Sequence, residues 1–217
     1  VREREWQIAQ TVMLWCDQGA SMRFNSIGTL PTKMDRARLL TLSLAILLNR
    51  GGERVGMTGA RLPPRRGNAQ ILRLAEMLSE EDSAEYAPPE HSAMIPNAAA
   101  MFASDFLGNM APVELALTKA ADRGVRGVLL QVLDPSEEEF GFHGRTIFES
   151  VGGSMRHETL KANDLRDRYL ARLAQRKDEL QRLCTRTGWQ YGLHNTEKSP
   201  QSGLLWLYQA MSGGARL

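Results

Sequence analysis

The sequence predicts an α/β fold: a three-layer, doubly wound, mostly parallel sheet flanked by helices. Short apolar runs alternate with helical periodicities along the chain, the pattern of strands joined by crossover helices. Acidic residues directly follow several of the apolar runs, at the strand ends where open α/β sheets bind their ligands. With 217 residues, 42% hydrophobic and 24% charged, the chain can bury most of its apolar surface in one α/β domain and is not composed like a disordered segment.

Residues 8–16 read as the first buried strand, and Asp17-Gln18-Gly19-Ala20-Ser21-Met22 follows directly. A carboxylate at a strand end, with small and hydroxyl residues in the next turn, offers the oxygen ligands that hard cations take. After the polar residues 23–32, the leucine-dense stretch 34–49 predicts a helix on the sheet, stopped by Gly51-Gly52. Residues 54–58 read as the second strand. Leu62-Pro63-Pro64-Arg65-Arg66-Gly67 reads as a loop, because paired prolines preclude a ladder and the arginines suit solvent. Asn68–Ser79 carries Ile71, Leu74, Ala75 and Leu78 at the spacing of an amphipathic surface helix. The acidic residues 79–96, with Pro88-Pro89, read as an exposed, mobile connection.

Residues 98–103 predict the third strand, with Asp105 just beyond it, and 127–133 the fourth. The acidic stretch Asp134-Pro135-Ser136-Glu137-Glu138-Glu139 that follows suits a solvated loop capping the next segment, or a second cation or basic partner. Residues 145–149 and 155–160 flank Gly152-Gly153 and predict a hairpin. Residues 164–186 predict a long helix, with Leu165, Tyr169, Leu173, Leu180 and Cys184 on its buried stripe. Its other face carries Arg168, Arg172, Arg176, Lys177 and Asp178, the pattern of a solvated face with i,i+4 pairs. Residues 189–194 complete the sheet. No repeat or linker divides the sequence, so residues 1–217 are expected to form a single domain.

A net charge of +2 gives no argument for nucleic acid. Lys33, Lys119, Lys161, Lys177 and Lys198 are the lysines of an otherwise arginine-dominated basic set, a skew that codon usage explains as well as ligand binding does. Arg61, Arg65 and Arg66 lack the interleaved aromatics of a single-strand platform. Trp6, Trp15, Trp189 and Trp206 sit in or beside apolar elements, as core or interface anchors do. Cys16 and Cys184, in apolar contexts without metal-ligand spacing, suit reduced buried thiols and a cytoplasmic location. No stretch reaches the length of a membrane span or reads as a signal peptide, and the opening on Val1 reads as a C-terminal portion of a longer protein with an upstream segment missing. Neither a phosphate loop nor a dinucleotide fingerprint is present. No nucleophile elbow occurs, and His143, His157 and His194 lack metal-ligand spacing, so they read as structural or surface residues.

Asp17-Gln18-Gly19-Ala20-Ser21 resembles the metal-ion-dependent adhesion site of von Willebrand factor A (vWA) domains, where Asp-x-Ser-x-Ser gives a divalent ion one carboxylate and two hydroxyls. Here Gly19 stands at the first hydroxyl position. Arg2-Glu3-Arg4-Glu5-Trp6, Leu62-Pro63-Pro64-Arg65-Arg66-Gly67, Ala103-Ser104-Asp105-Phe106-Leu107, Leu133-Asp134-Pro135, Gly144-Arg145-Thr146-Ile147-Phe148, Glu158-Thr159-Leu160 and Gly188-Trp189 extend the likeness along the whole chain. Together these stretches resemble the domain of unknown function 58 family, a bacterial branch of the vWA-like fold. The resemblance implies a degenerate metal site of Asp17, Ser21 and Asp105 for Mg2+ or Mn2+. No threonine stands near Gly67-Asn68, where the fold expects one, so Asn68 is its substitute, and Asp134 is a further neighbour. The same residues also suit a metal-free network in which Asp17 and Asp105 accept backbone N–H groups and Ser21 caps the turn.

The resemblance further implies a non-enzymatic protein-interaction module, an adaptor for a MoxR-type AAA+ ATPase. An acidic residue of the partner would complete the coordination of any bound metal. One alternative is a magnesium-dependent phosphoesterase or hydrolase using the same carboxylates, with His194 and Arg65 as base and anion clamp. Another is a structural domain with a vestigial site.

Overall fold

In chain order the backbone forms β1 (Thr11–Cys16), a 3-10 turn (Ala20–Arg23), α1 (Lys33–Arg50), β2 (Arg54–Met57), α2 (Asn68–Ser79), β3 (Ala99–Ser104), α3 (Met110–Asp122) and β4 (Arg126–Leu133). The short α4 (Pro135–Glu139), β5 (Thr146–Glu149), β6 (Arg156–Thr159), α5 (Asn163–Thr187), β7 (Gln190–Asn195) and α6 (Pro200–Gly213) follow. The computed structural model describes residues 9–60, 62–80, 82–140, 146–149, 156–159 and 163–213. Val1 to Trp6, Arg61, His143, Gly152, Gly153 and the side chain of His157 lie outside the described residues.

The main sheet has five strands, all parallel, in the order β2-β1-β3-β4-β7. β5 and β6 pair antiparallel where the hairpin is expected. Beside β2 the chain returns through one antiparallel bridge between Val55 and Arg65. Pro63 and Pro64 have no N–H to donate, which keeps that bridge from growing into a strand.

Alternation along the strands covers both faces. Val12, Leu14, Met101, Ala103, Val128, Leu130 and Val132 join the core under α1, α2 and α6. Met13, Trp15, Ala100, Phe102 and Leu129 join the core under α3 and α5. Cys16 and Cys184 are free, buried and in opposite layers, and burial pushes both thiols up to about 12.

Thr32 caps α1 by accepting the Asp35 N–H at 3.0 Å. The helix buries Leu40, Leu44 and Leu48, each contributing about 1.5–3 kcal/mol of apolar burial. It begins one residue before its apolar pattern, at Lys33, which is itself buried.

The chain order reverses between β1 and β3, so the crevice outside their C-terminal ends is the switch point at which open α/β sheets bind ligands. Residues 82–89 run along this edge and are tied to it through their backbone, although Asp82, Ser83, Tyr86 and Pro88 keep the exposure that their acidity and prolines suggest. Ala20 and Ser21 donate N–H bonds to the Ala84 and Glu85 carbonyls at 2.9 Å each, and Asp82 donates to Gln18 O at 3.1 Å. Pro89 and Met94 are buried. Gly19 permits the close approach: a Cβ there would lie 2.9 Å from Ala87 N and from Glu85 O.

Candidate functional site

β1 and β3 pair in register and deliver Asp17 and Asp105 to the switch point. The Asp17 N–H donates to Ala103 O at 2.8 Å, and Ser104 Oγ donates to Asp17 Oδ2 at 2.6 Å. Asp17 Oδ1 accepts the Gly19 N–H at 2.8 Å, and Asp105 Oδ1 accepts the Leu107 N–H at 3.0 Å. Burial pushes Asp17 up to about 6, against the bonds from Ser104 and Gly19 and reinforced by the charge of Asp105. Phe106, next in the chain, holds a φ of 50°, a conformation that bulky residues rarely adopt. Its ring is buried 6.2 Å from that of Trp15, and Arg176 Nη1 donates to the Phe106 and Gly108 carbonyls at 2.6 Å each. Arg176 therefore ties α5 to the loop behind Asp105 and is not the solvated position that the charge pattern of its face suggests.

The other oxygen of Asp105 meets a cation from the chain itself. Lys33 Nζ donates to Asp105 Oδ2 at 2.7 Å and to Glu137 Oε1 at 2.6 Å, with 1% of its side chain exposed. The Phe24 ring lies over the ammonium, 5.8 Å from Nζ to the centroid. Burial disfavours the charge, as does the first turn of α1, where the helix dipole is positive. Asp105 and Glu137 outweigh the burial and hold Lys33 above the ordinary lysine value.

Glu137 is aimed by a capping box. Asp134 caps α4, accepting the Ser136 N–H at 2.9 Å, while Glu137 Oε2 accepts the Asp134 N–H at 2.9 Å. Asp134 also takes the Ser26 N–H at 2.9 Å and the Ser26 hydroxyl, anchoring the loop that carries Phe24. Burial opposes its ionisation, but the bonds from Ser26 and Ser136 prevail and hold Asp134 below the ordinary carboxylate range. Glu138 pairs with Lys177 Nζ and accepts from Asn195 Nδ2, each at 2.7 Å. The stretch expected as a solvated acidic loop is thus largely tied inward.

The expected ligand set is only partly brought together. Ser21 is buried in the 3-10 turn, but its hydroxyl has no hydrogen-bond partner among the described residues and does not cap the turn. Asn68 is at the wrong edge: it is exposed, and the preceding Gly67 N–H donates to Asn49 Oδ1 at 2.8 Å, near the end of α1, where the strands begin. The Arg65 bridge to Val55 places that residue beside the start of β2 as well. Arg36 Nη1 lies 2.8 Å from His194 Nε2, and burial, with Arg36 and Lys198, pushes His194 down to about 4. His194 is therefore a neutral acceptor, separated from Asp17.

These groups do not fit a divalent ion. The ammonium already occupies Asp105 Oδ2, Gly19 has no room for the missing hydroxyl, and no group of three or more His, Cys, Asp or Glu among the described residues could hold a metal. A cavity of about 200 Å³ opens beside the network, lined by Asp17, Asp105, Tyr86, Pro89, Asn109 and Pro112. A larger one, about 810 Å³, lies where the strands begin, with Glu53 and Arg54 as its charged lining. Among the described residues no helix is long and apolar enough to cross a membrane.

No curated protein matches the sequence. Among solved structures the chain is similar to the conserved hypothetical protein BatB from Bacteroides thetaiotaomicron, at 16% identity and a TM-score of 0.52, over 96% of this chain and 100% of that one. An aerotolerance-related membrane protein from Bacteroides fragilis is similar at 14% identity and a TM-score of 0.49, over 94% of this chain and 100% of that one. BatB shows the shared α/β fold. The family model "Protein of unknown function DUF58" matches residues 1–179, a span that holds Asp17, Lys33, Asp105 and Glu137, and the chain belongs to the DUF58 family.

Proposed function

We propose that this chain is a non-enzymatic, vWA-like protein-interaction module whose recognition surface is the C-terminal edge of the sheet around Asp17, Ser21 and Asp105. The observation that carries the reading is the switch-point crevice, where a buried polar network adjoins a cavity of about 200 Å³ rimmed by Tyr86, Pro88 and Pro112. Tyr86, 43% exposed, and Ile27, 48% exposed on the loop that Asp134 anchors, give this edge the apolar contacts on which protein interfaces concentrate their energy. A MoxR-type AAA+ ATPase is the partner that the family resemblance implies, with the chain acting as its adaptor.

The test is binding to the purified MoxR-type ATPase of the same genome, measured by interferometry. Tyr86→Ala and Ile27→Ser are expected to weaken binding about tenfold or more. Arg65→Ala and Arg66→Ala, at the edge where the strands begin, should leave it unchanged. No binding by the wild type, or equal losses at both edges, refutes the proposal.

A further inference from the structure

We infer that Lys33 is the resident cation of this edge: its ammonium takes the electrostatic role that a divalent ion has in an adhesion-type site, and the module works without metal. The inference deepens the proposed function and rests on it for where the recognition surface lies.

The ammonium is bound on two sides, by Asp105 from the end of β3 and by Glu137 from α4. Asp105 is 0% and Glu137 13% exposed, so neither carboxylate is a mobile surface partner. A lysine opening a helix faces an unfavourable dipole, and a buried one loses its hydration. Both penalties are offset here by carboxylates that the fold brings in from elements distant in sequence. A divalent ion on the same Asp105 oxygen would stand within about 5 Å of the ammonium, a strong repulsion inside a protein. Nor can the missing ligand be restored at residue 19, where a side chain would strike the backbone of Glu85 and Ala87. With the cation covalently attached, no coordination position is left open for a partner's carboxylate, and a chelator has nothing to remove.

The full chain, stripped with chelator, is titrated with Mn2+ by calorimetry and melted with and without it. The wild type should show no binding. Lys33→Ala, which leaves the two carboxylates of Asp105 and Glu137 facing one another across a space open to water, should bind Mn2+ at least about 100-fold more tightly and melt at higher temperature in its presence. Asp105→Asn in that background should abolish the gain. If Lys33→Ala is unfolded alone, the same gain is read as refolding on addition of Mn2+, and Lys33→Met, whose stem fills the space, should show none.

Wild-type binding that Asp17→Ala removes overturns the inference. So does a Lys33→Ala chain that gains nothing, folded or unfolded. The wild-type chain, stripped with chelator and then freed of it, should also bind the ATPase as the untreated chain does. Binding lost by the stripped chain and restored by adding Mn2+ to that chain would overturn the role of Lys33 while leaving the interaction reading intact. If no ATPase binding occurs at all, the interaction reading fails, and the Mn2+ titrations still decide whether Lys33 is the cation.

Discussion

Lys33→Met keeps most of the side-chain stem and removes the ammonium, leaving Asp105 and Glu137 without their cation. The wild-type contacts are two charge-assisted bonds of 2.7 and 2.6 Å, with Lys33 1% and Asp105 0% exposed. Deleting one partner of such a buried pair costs about 3–5 kcal/mol, since the remaining charge stays desolvated, whereas an exposed pair is worth about 0–1 kcal/mol. The burial assigns this pair to the first class. The penalty also depends on pH. Burial already holds Glu137 above the ordinary glutamate value against the opposing pull of Lys33, so without the ammonium this carboxyl rises further, the variant takes up a proton on mild acidification, and its penalty at about pH 5 is smaller than at about pH 7.5. Lys33 itself adds no slope in this range. Its folded value is raised above 10.5, so its contribution is complete below 10.5 and is lost only as the pH rises through the folded value. Urea unfolding at the two pH values measures both effects. A loss under about 1 kcal/mol at about pH 7.5, or an equal loss at both, refutes the argument.

Further substitutions test other parts of the edge. Gly19→Ser should destabilise by about 1–3 kcal/mol through overpacking against residues 85–87 and confer no Mn2+ affinity; a neutral variant that binds Mn2+ would show that the turn has room. Arg176→Ala should cost about 1.5–3 kcal/mol and speed amide hydrogen exchange at Leu107 and Gly108, leaving β2 protected; unchanged exchange in that loop would deny the tie. His194 is lowered from 6.5 to about 4, so its neutral form stabilises the fold above 6.5 and that contribution, about 3 kcal/mol, is lost as the pH falls toward 4. Relative to His194→Gln, wild-type stability should fall across that window, and parallel profiles would show that the histidine is not held neutral.

The strands were legible because parallel strands covered on both faces read as unbroken apolar runs, and α2 because its stripe is bounded by Gly67 and the acidic residues after Ser79. α3 is harder to see: Ala116 and Ala120 share its buried stripe with Val113 and Leu117 and give little contrast. The meeting of Asp17 and Asp105 follows from their positions just past two strands that pair. The direction of the chain after β2 does not follow, and so Asn68 was expected at the wrong edge. Lys33 does not stand out in the sequence, because a polar residue before a leucine-rich helix passes for an ordinary first-turn position. Its signal was the wrong sign of charge at a helix start, in a chain whose usual cation is arginine. Glu137, Arg176 and Lys177 find partners far away in sequence, and no local pattern encodes such pairings.

The most direct test observes the ammonium itself, in a spectrum selective for lysine side-chain nitrogen, with Lys33→Met assigning the Lys33 signal. The account predicts a Lys33 resonance protected from solvent exchange at neutral pH that stays sharp when Mn2+ is added to equimolar concentration. A Lys33 signal that exchanges as fast as that of exposed Lys119, or that Mn2+ broadens away while Lys119 and Lys198 remain, would contradict the claim that this edge carries its own cation.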